Sequence, residues 1–363
     1  ASWSRITLPP DALHIAQFTA TLDLEAGPVR IDLDDVLCRY RLPDLVRGSV
    51  VSLRLGTARI TLPAAPAPNS QNLPPVGAGA LQRIAAARLP LEQLQIRRLL
   101  IVRTGAESRS SPPLVVDLSA AATGTTLSLG LADSPPDTPA PLGAEVRLDH
   151  HQLSGTLQAE ADLFKALTAG SGSGSLPSRG RLTARFRFDW QRPEAHALHL
   201  LLGLSDLEQE RVSAKTIQLQ VDGTWTPATQ VLQLAPSSQL AVDSARREGL
   251  AVAAVQADLA GQVRFKPDGW QVQIRPAGPW TAAGLVVNGL PLDPLRLKVV
   301  QATVEQGADE VLKGSCRFHS PQGAGILQAD LEHRPGSAGG GTATLKTIGP
   351  LVMTASSNLL LLL

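Results

Sequence analysis

Strict alternation of apolar and polar residues runs through most of this 363-residue chain. Residues 181–190 read RLTARFRFDW, in which every second side chain is apolar: Leu182, Ala184, Phe186, Phe188 and Trp190. Successive side chains of an extended strand point to opposite faces, so this spacing predicts a strand with one apolar and one polar face. The function of such a chain depends on what the apolar face contacts.

The same period of two recurs downstream and predicts a mainly β fold. Asp268-Gly269 is typical of a tight hairpin turn between two alternating stretches, and Asp222-Gly223 is expected to end another strand in the same way. A change of parity near Gly56 indicates a β-bulge. The connections are too short for crossover helices, which predicts roughly fifteen or more strands, mostly antiparallel.

Three segments are predicted from the helical and loop signals. Residues 1–170 form an N-terminal β region with two short helices, at 79–88 and 159–169, where apolar residues follow a helical period. Residues 171–180 belong to a Gly/Ser-rich linker, and 181–363 form a run of β-hairpins. The chain begins without Met and stops inside a run of leucines, so we expect a piece of a longer protein.

Composition and motif spacing exclude several classes of function. The net charge is +1 with no basic run, which gives no support to a nucleic-acid partner. The seven histidines and two cysteines lack metal-ligand spacing, and His196 and His199 are expected on opposite faces of one strand. Asp34-Asp35 is typical of a turn or a solvated site rather than of a catalyst. We therefore expect no metal, no cofactor and no enzymatic activity.

An apolar strand face usually packs against a second sheet, so a closed β-sandwich or solenoid is one expectation. The N-terminal part suggests another. Residues 29–62 contain a strand, Tyr40, a Leu-Pro-x-Leu step at Leu42–Leu45 and a strand that begins beside Gly48, and a further apolar stretch follows at 89–102. This order resembles the amino-terminal region of AsmA-like proteins, and most closely their YdbH-like branch.

The resemblance implies an elongated, twisted antiparallel β-groove that carries phospholipid across the periplasm between the inner and outer membranes. It also implies an inner-membrane anchor helix outside this chain and an outer-membrane lipoprotein partner. The groove lining would then be Leu182, Phe186, Phe188, Trp190, Ile217, Leu219, Val221, Val263, Phe265, Trp270, Val272, Ile274, Leu295, Leu297 and Val299. The alternatives are a structural or adhesive β-domain with a closed core and a periplasmic factor in outer-membrane protein assembly.

Overall fold

A computed structural model shows a chain made almost entirely of β-strands. The structure describes residues 2–348 apart from residues 8, 10, 25–26, 47–48, 64–90, 104–108, 111, 122–123, 133–140, 161–178, 210–211, 267–268, 292–294, 308–310, 320–325 and 334–340. The chain divides into two compact units, Ala1–Pro177 and Ser178–Leu363, called the N-terminal and C-terminal units below.

The described part of the N-terminal unit contains one helix and a series of strands. They are β1 Ser2–Thr7, β2 Ala12–Leu24, β3 Gly27–Arg39, α1 Leu42–Val46, β4 Val50–Leu62, β5 Leu91–Arg103, β6 Arg109–Ser110, β7 Leu114–Ala121, β8 Gly124–Leu131, β9 Leu142–Leu148 and β10 Gln152–Glu160. Neighbours pair antiparallel except β4 and β5, which run parallel. The 28-residue connection between β4 and β5 is long enough for the crossover that parallel strands need.

The C-terminal unit consists of strands wherever it is described. They are β11 Arg179–Arg192, β12 Ala195–Gln209, β13 Val212–Thr226, β14 Val231–Leu234, β15 Gln239–Arg247, β16 Leu250–Asp258, β17 Gly261–Lys266, β18 Gly269–Ile274, β19 Trp280–Ala283, β20 Val286–Val287, β21 Leu290–Pro291, β22 Leu295–Leu297, β23 Val299–Gln306, β24 Leu312–His319, β25 Ile326–His333 and β26 Gly341–Ile348. Every pairing among their described residues is antiparallel.

The prediction of a mainly β, mostly antiparallel fold is confirmed. Within the described ranges, no pairing joins β1 to β10 or β11 to β26, so the strands form open sheets. The closed sandwich or solenoid does not fit this arrangement. The hairpin predicted around Asp268-Gly269 is also found, because β17 pairs β18 with Lys266 opposite Gly269.

A line of interrupted pairing crosses the N-terminal unit. One residue in each of five neighbouring strands lies outside the ladder, while the register on either side stays the same: Arg5, Ala16, Asp35, Gly56 and Arg97. Asp35 has a φ of 53°, and a Cβ on Gly56 would lie 2.9 Å from the Asp35 Cβ. The β-bulge predicted at Gly56 is therefore wrong, because neither strand has an extra residue there.

The interruption explains the change of parity. A residue outside the extended region breaks the alternation of side chains, so apolar residues must change parity to stay on one face. In β4 the apolar positions are Leu53 and Leu55 before the line, and Ala58 and Ile60 after it. A core cluster of Val36, Leu55 and Ala58 lies beside the line.

A matching line crosses the C-terminal unit. The positions skipped by the strand register in neighbouring crossings of the sheet are Asp206, Lys215, Ser244, Ala253 and Gly284. Three of them have positive φ values: Asp206 at 52°, Ser244 at 52° and Gly284 at 62°. Gly284 also has to be small, because a Cβ there would lie 2.6 Å from the Ala253 Cβ. Each of the two units thus contains its own line of interrupted pairing with positive-φ residues.

A second line of breaks, called the corner below, interrupts the later strands of the C-terminal unit. It separates β15 from β14, β16 from β17, β19 from β18 and β22 from β23. Ser238 is fully buried there; its Oγ donates to the Asp222 carbonyl and accepts from the Asp222 N–H. The Asp258 carboxylate accepts from the N–H groups of Ala260, Ala277 and Gly278. These bonds satisfy backbone groups that the broken ladder leaves without strand partners.

The structure corrects three further predictions. Asp222-Gly223 does not end a strand, because β13 continues through it, and Gly223 is required by the Gln233 carbonyl, 2.6 Å from where its Cβ would be. The only helix among the described residues is α1, which was not predicted. The helix predicted at 79–88 lies outside the described residues. Of the helix predicted at 159–169, residues 159 and 160 belong to β10, and the rest lies outside the described residues. Arg179 and Gly180, assigned to the linker, begin β11.

Candidate functional site: an apolar sheet face

The register places many of the predicted lining residues on shared rows. One row crosses nine neighbouring strands without a charged residue: Phe188, Leu198, Gly223, Leu234, Gly261, Ile274, Ala302, Cys316 and Ala329. Strands lie about 4.8 Å apart, so the eight steps of this row span roughly 38 Å along the sheet. We call the face that carries it the apolar face.

Further apolar rows run beside the first. One contains Leu182, Leu204, Ile217, Val242, Val255, Ala282 and Leu295. Another contains Ala184, Leu202, Leu219, Leu240 and Ala257. Of the remaining predicted residues, all except Trp190 pair with apolar partners: Phe186 and Val221 with Leu200, Val263 with Val272, Phe265 with Trp270, Leu297 with Trp280, and Val299 with Phe318.

Most of these side chains are only half-buried. Trp190 and Val299 are buried, Phe265 is 44% exposed, and the other predicted lining residues whose side chains are described fall between these limits. The side chains of Leu295 and Leu297 lie outside the described set. The centre of a sandwich core is closed to solvent on both sheets. The intermediate exposure of residues such as Leu219 and Ile274 differs from that pattern.

The opposite face of the same strands is polar. One row contains Gln233, Gln262, Gln273, Thr303, Ser315 and Asp330, and the next contains Arg264, Gln271, Glu305, Lys313 and Glu332. Gln262 donates to Gln273 across the sheet at 2.9 Å. Arg185 and Arg187 on β11 are exposed. The sheet therefore has one face suited to water and one suited to hydrocarbon.

An aromatic cluster lies near one end of the first strands of the apolar face. Phe188 packs against Trp190 at 5.8 Å between ring centroids and edge-on against His196 at 5.3 Å. His196 is the register partner of Trp225, and Trp225 packs edge-on against Phe265 at 5.4 Å. His196 and Trp225 were not among the predicted lining residues. In the sequence, His196 alternates in step with Leu198 and Leu200, and this spacing could have predicted its place on the apolar face.

His199 lies on the opposite face from His196, as predicted, where its ring bonds the Asp222 carboxylate. Asp222 also accepts from Ser237 Oγ at 2.7 Å and Gln220 Nε2 at 2.8 Å. The bonds from His199, Ser237 and Gln220 lower the pKa of Asp222 to about 2. Ser237 bonds Asp222 rather than His199, so this group lacks the serine-to-histidine contact of a catalytic triad. Its place at the corner indicates a structural role.

The described residues show few features of other site types. No group of three or more histidine, cysteine, aspartate or glutamate side chains in that part of the chain is arranged to hold a metal ion. None of the helices found there is long and apolar enough to cross a membrane. Cys38 and Cys316 are free, and burial raises the pKa of both thiols.

Comparison with known proteins found no matching family model, no matching curated protein and no matching solved structure. The chemistry of the two sheet faces therefore carries the functional assignment.

Proposed function

We propose that the C-terminal unit is a non-enzymatic conduit for phospholipid, whose acyl chains lie along the apolar face. The observation that supports this most directly is the row from Phe188 to Ala329, which is apolar across nine strands and, apart from Leu234 and Ala302, only partly buried. Monomeric soluble proteins rarely leave a continuous apolar surface of this length without a ligand or a partner.

The energetics of lipid transfer favour a surface of this kind. Exposing an acyl chain of ~16 carbons to water costs on the order of 12 kcal/mol, at about 0.8 kcal/mol per CH₂ group. A continuous apolar row removes much of that cost at every position along its length. Because neighbouring positions have similar side chains, a bound chain meets no deep energy well that would stop its movement.

The two lines of interruption also support the proposal. A sheet must bend across its strands to enclose a ligand, and positive-φ residues and breaks are the usual means of bending one. The Asp206–Gly284 line and the corner divide the later strands of the C-terminal unit into shorter pieces. In β4 of the N-terminal unit, the parity change at such a line keeps the apolar residues on one face on both sides of it.

We place the conduit in the periplasm of a Gram-negative cell, in line with the resemblance to AsmA-like proteins. In that setting a helix outside this chain anchors the protein in the inner membrane, and an outer-membrane lipoprotein is its partner. The closed structural or adhesive domain and the outer-membrane assembly factor are less favoured, because neither needs a half-open apolar row of this length.

A charge on the apolar face tests the proposal. Leu219 pairs with Leu202 and Leu240, whereas the adjacent Gln218 is exposed on the polar face. We expect Leu219→Arg to lower the amount of phospholipid that co-purifies with the protein at least tenfold, because an arginine in the row must lose hydration beside the acyl chain. Gln218→Arg is the matched control and should retain wild-type lipid.

The folded state of both variants is checked by circular dichroism and a urea titration. A Leu219→Arg protein that folds and keeps its phospholipid contradicts the conduit. So does a wild-type protein that carries no phospholipid.

A further inference from the structure

The aromatic cluster holds a polar group that the fold leaves without a partner. His196 is 1% exposed, and neither of its ring nitrogens has a hydrogen-bond partner among the described residues. The other fully buried polar side chain, Ser238, makes two hydrogen bonds to Asp222. Burying a donor or acceptor without a partner destabilises the folded state, and native proteins rarely contain such a group.

The neighbouring tryptophans provide a second, independent observation. Within the described part of the C-terminal unit, Trp270 Nε1 donates to Gln306 and Trp280 Nε1 donates to the Asp258 carbonyl. The indole N–H groups of Trp190 and Trp225, which flank His196, donate to no described group. The cluster around His196 therefore combines an apolar lining with three side chains whose N–H donors have no protein acceptor.

Free N–H donors inside an apolar cluster match a ligand that joins hydrocarbon to oxygen acceptors. A phosphate oxygen is a strong acceptor, because hydrogen bonds to an ionised group are about twice as strong as neutral ones. Tryptophan is also suited to the boundary between an apolar and a wet region, since its ring is apolar and its N–H is polar. An alkane would leave the buried nitrogens of His196 without a hydrogen-bond partner.

We infer that the cluster of Phe188, Trp190, His196 and Trp225 binds the phosphate end of an acyl phospholipid, with His196 as the central donor. This inference rests on the proposed function and adds to it the position of the headgroup on the apolar face. The acyl chains then run from the cluster along the row that begins at Phe188 and Leu198. Because His196 is fully enclosed in the ligand-free protein, the side chains over it have to turn aside when the lipid binds.

The test observes His196 directly in the full chain with ¹⁵N-labelled imidazole rings. Three probes are added separately: dihexanoyl phosphatidylglycerol below its micelle concentration, octyl glucoside as a neutral alkyl-chain control, and inorganic phosphate. The His196→Phe variant identifies the His196 signal among the seven histidines. Phenylalanine keeps the apolar contact with Phe188 and removes both nitrogens.

We expect the His196 nitrogens to shift with the phospholipid but not with octyl glucoside or inorganic phosphate. We also expect His196→Phe to bind dihexanoyl phosphatidylglycerol about tenfold more weakly, as the loss of one good hydrogen bond implies, with no loss of folding stability. His199→Asn, on the polar face, should bind it with wild-type affinity.

The contrary outcomes are distinct. If tryptophan fluorescence reports phospholipid binding while the His196 signals stay in place, the headgroup site is wrong and the conduit stands. A shift with inorganic phosphate alone indicates an anion site without an acyl component and also overturns the inference. If neither the phospholipid nor octyl glucoside binds, the conduit itself is contradicted. A His196→Phe protein that loses stability but keeps its lipid affinity shows a purely structural histidine.

Discussion

Asp222 is the residue on which the corner of the C-terminal unit depends. Its backbone N–H and carbonyl both bond Ser238, while its carboxylate accepts from His199, Ser237 and Gln220. The carboxylate is the ionised form that these donors favour, so its pKa falls from 3.8 to about 2. One side chain thus couples the ladder of β13 to the break between β14 and β15.

The lowered pKa of Asp222 predicts the direction of a pH effect. A carboxyl group whose pKa is lower in the folded state stabilises the fold above its unfolded pKa and stops doing so as the pH falls through the folded value. We therefore expect the urea midpoint of the wild type to decrease between about pH 4 and pH 2. Asp222→Asn should have a lower midpoint at pH 7 and a flatter dependence over this range.

Asp243→Asn is the control for the pH effect, since Asp243 is half exposed and its contact with Lys215 is a surface ion pair at 3.8 Å. Surface pairs contribute about 0–1 kcal/mol, so this variant should follow the wild-type pH curve closely. Parallel pH curves for wild type and Asp222→Asn would show that the corner does not depend on the ionised carboxylate.

At the level of the strands, the line of positive-φ residues is the main structural device. Asp206 and Ser244 both have a φ of 52°, while Lys215, between them in the sheet, is not among the positive-φ residues. Non-glycine residues seldom adopt these angles, and aspartate and asparagine do so more readily than β-branched residues. The sheet therefore contains specific positions where residue type, rather than polarity, decides stability.

Substitution at Asp206 tests this device. We expect Asp206→Val to lower the free energy of unfolding by about 1–2 kcal/mol, because a β-branched residue is strained at positive φ. Asp206→Gly should be at least as stable as Asp206→Val and close to the wild type. The measurement is chemical denaturation of each variant.

Lys215→Val is the matched control on the neighbouring strand, where valine is compatible with extended backbone. It should change stability by less than about 1 kcal/mol. Equal losses for valine at positions 206 and 215 would mean that the backbone at Asp206 is not held at positive φ.

The difference between what the sequence pattern and the structure reveal is clearest at the line of interrupted pairing through Gly56. Alternation alone predicted the face of Phe188, the opposite faces of His196 and His199, and the change of parity near Gly56. It did not distinguish an extra residue from a register-preserving interruption, because both change the parity of one strand. Only the partner strand shows that this is an interruption without an extra residue. Asp35, opposite Gly56, has a positive φ, and the register continues unchanged on both sides.

Two other features depend on contacts that no single strand contains. Asp222-Gly223 is a common turn dipeptide, but here the aspartate bonds residues from β12 and from the β14–β15 break, and the glycine makes room for the Gln233 carbonyl. The free donors of His196 and Trp225 become visible only when the register places these two residues opposite each other. Local pattern predicted the faces, whereas the site depends on cross-strand neighbours.

Across the C-terminal unit as a whole, the two faces of the sheet have different proposed roles. The apolar face, with its row from Phe188 to Ala329, is proposed to contact acyl chains, while the glutamine- and arginine-rich face contacts water. Phe188 and Arg187 are adjacent in β11 but lie on opposite faces, half-buried and exposed respectively. The two residues differ little in position along the sheet. A difference in lipid crosslinking between positions 188 and 187 therefore reports which face contacts lipid.

The central claim is tested most directly by photo-crosslinking in Gram-negative cells from a photoreactive residue at position 188, with position 187 as the matched control. We expect phospholipid adducts from position 188, identified by mass spectrometry, and few or none from position 187. Protein adducts alone from position 188, or equal lipid adducts from both positions, would contradict the claim that this face carries acyl chains.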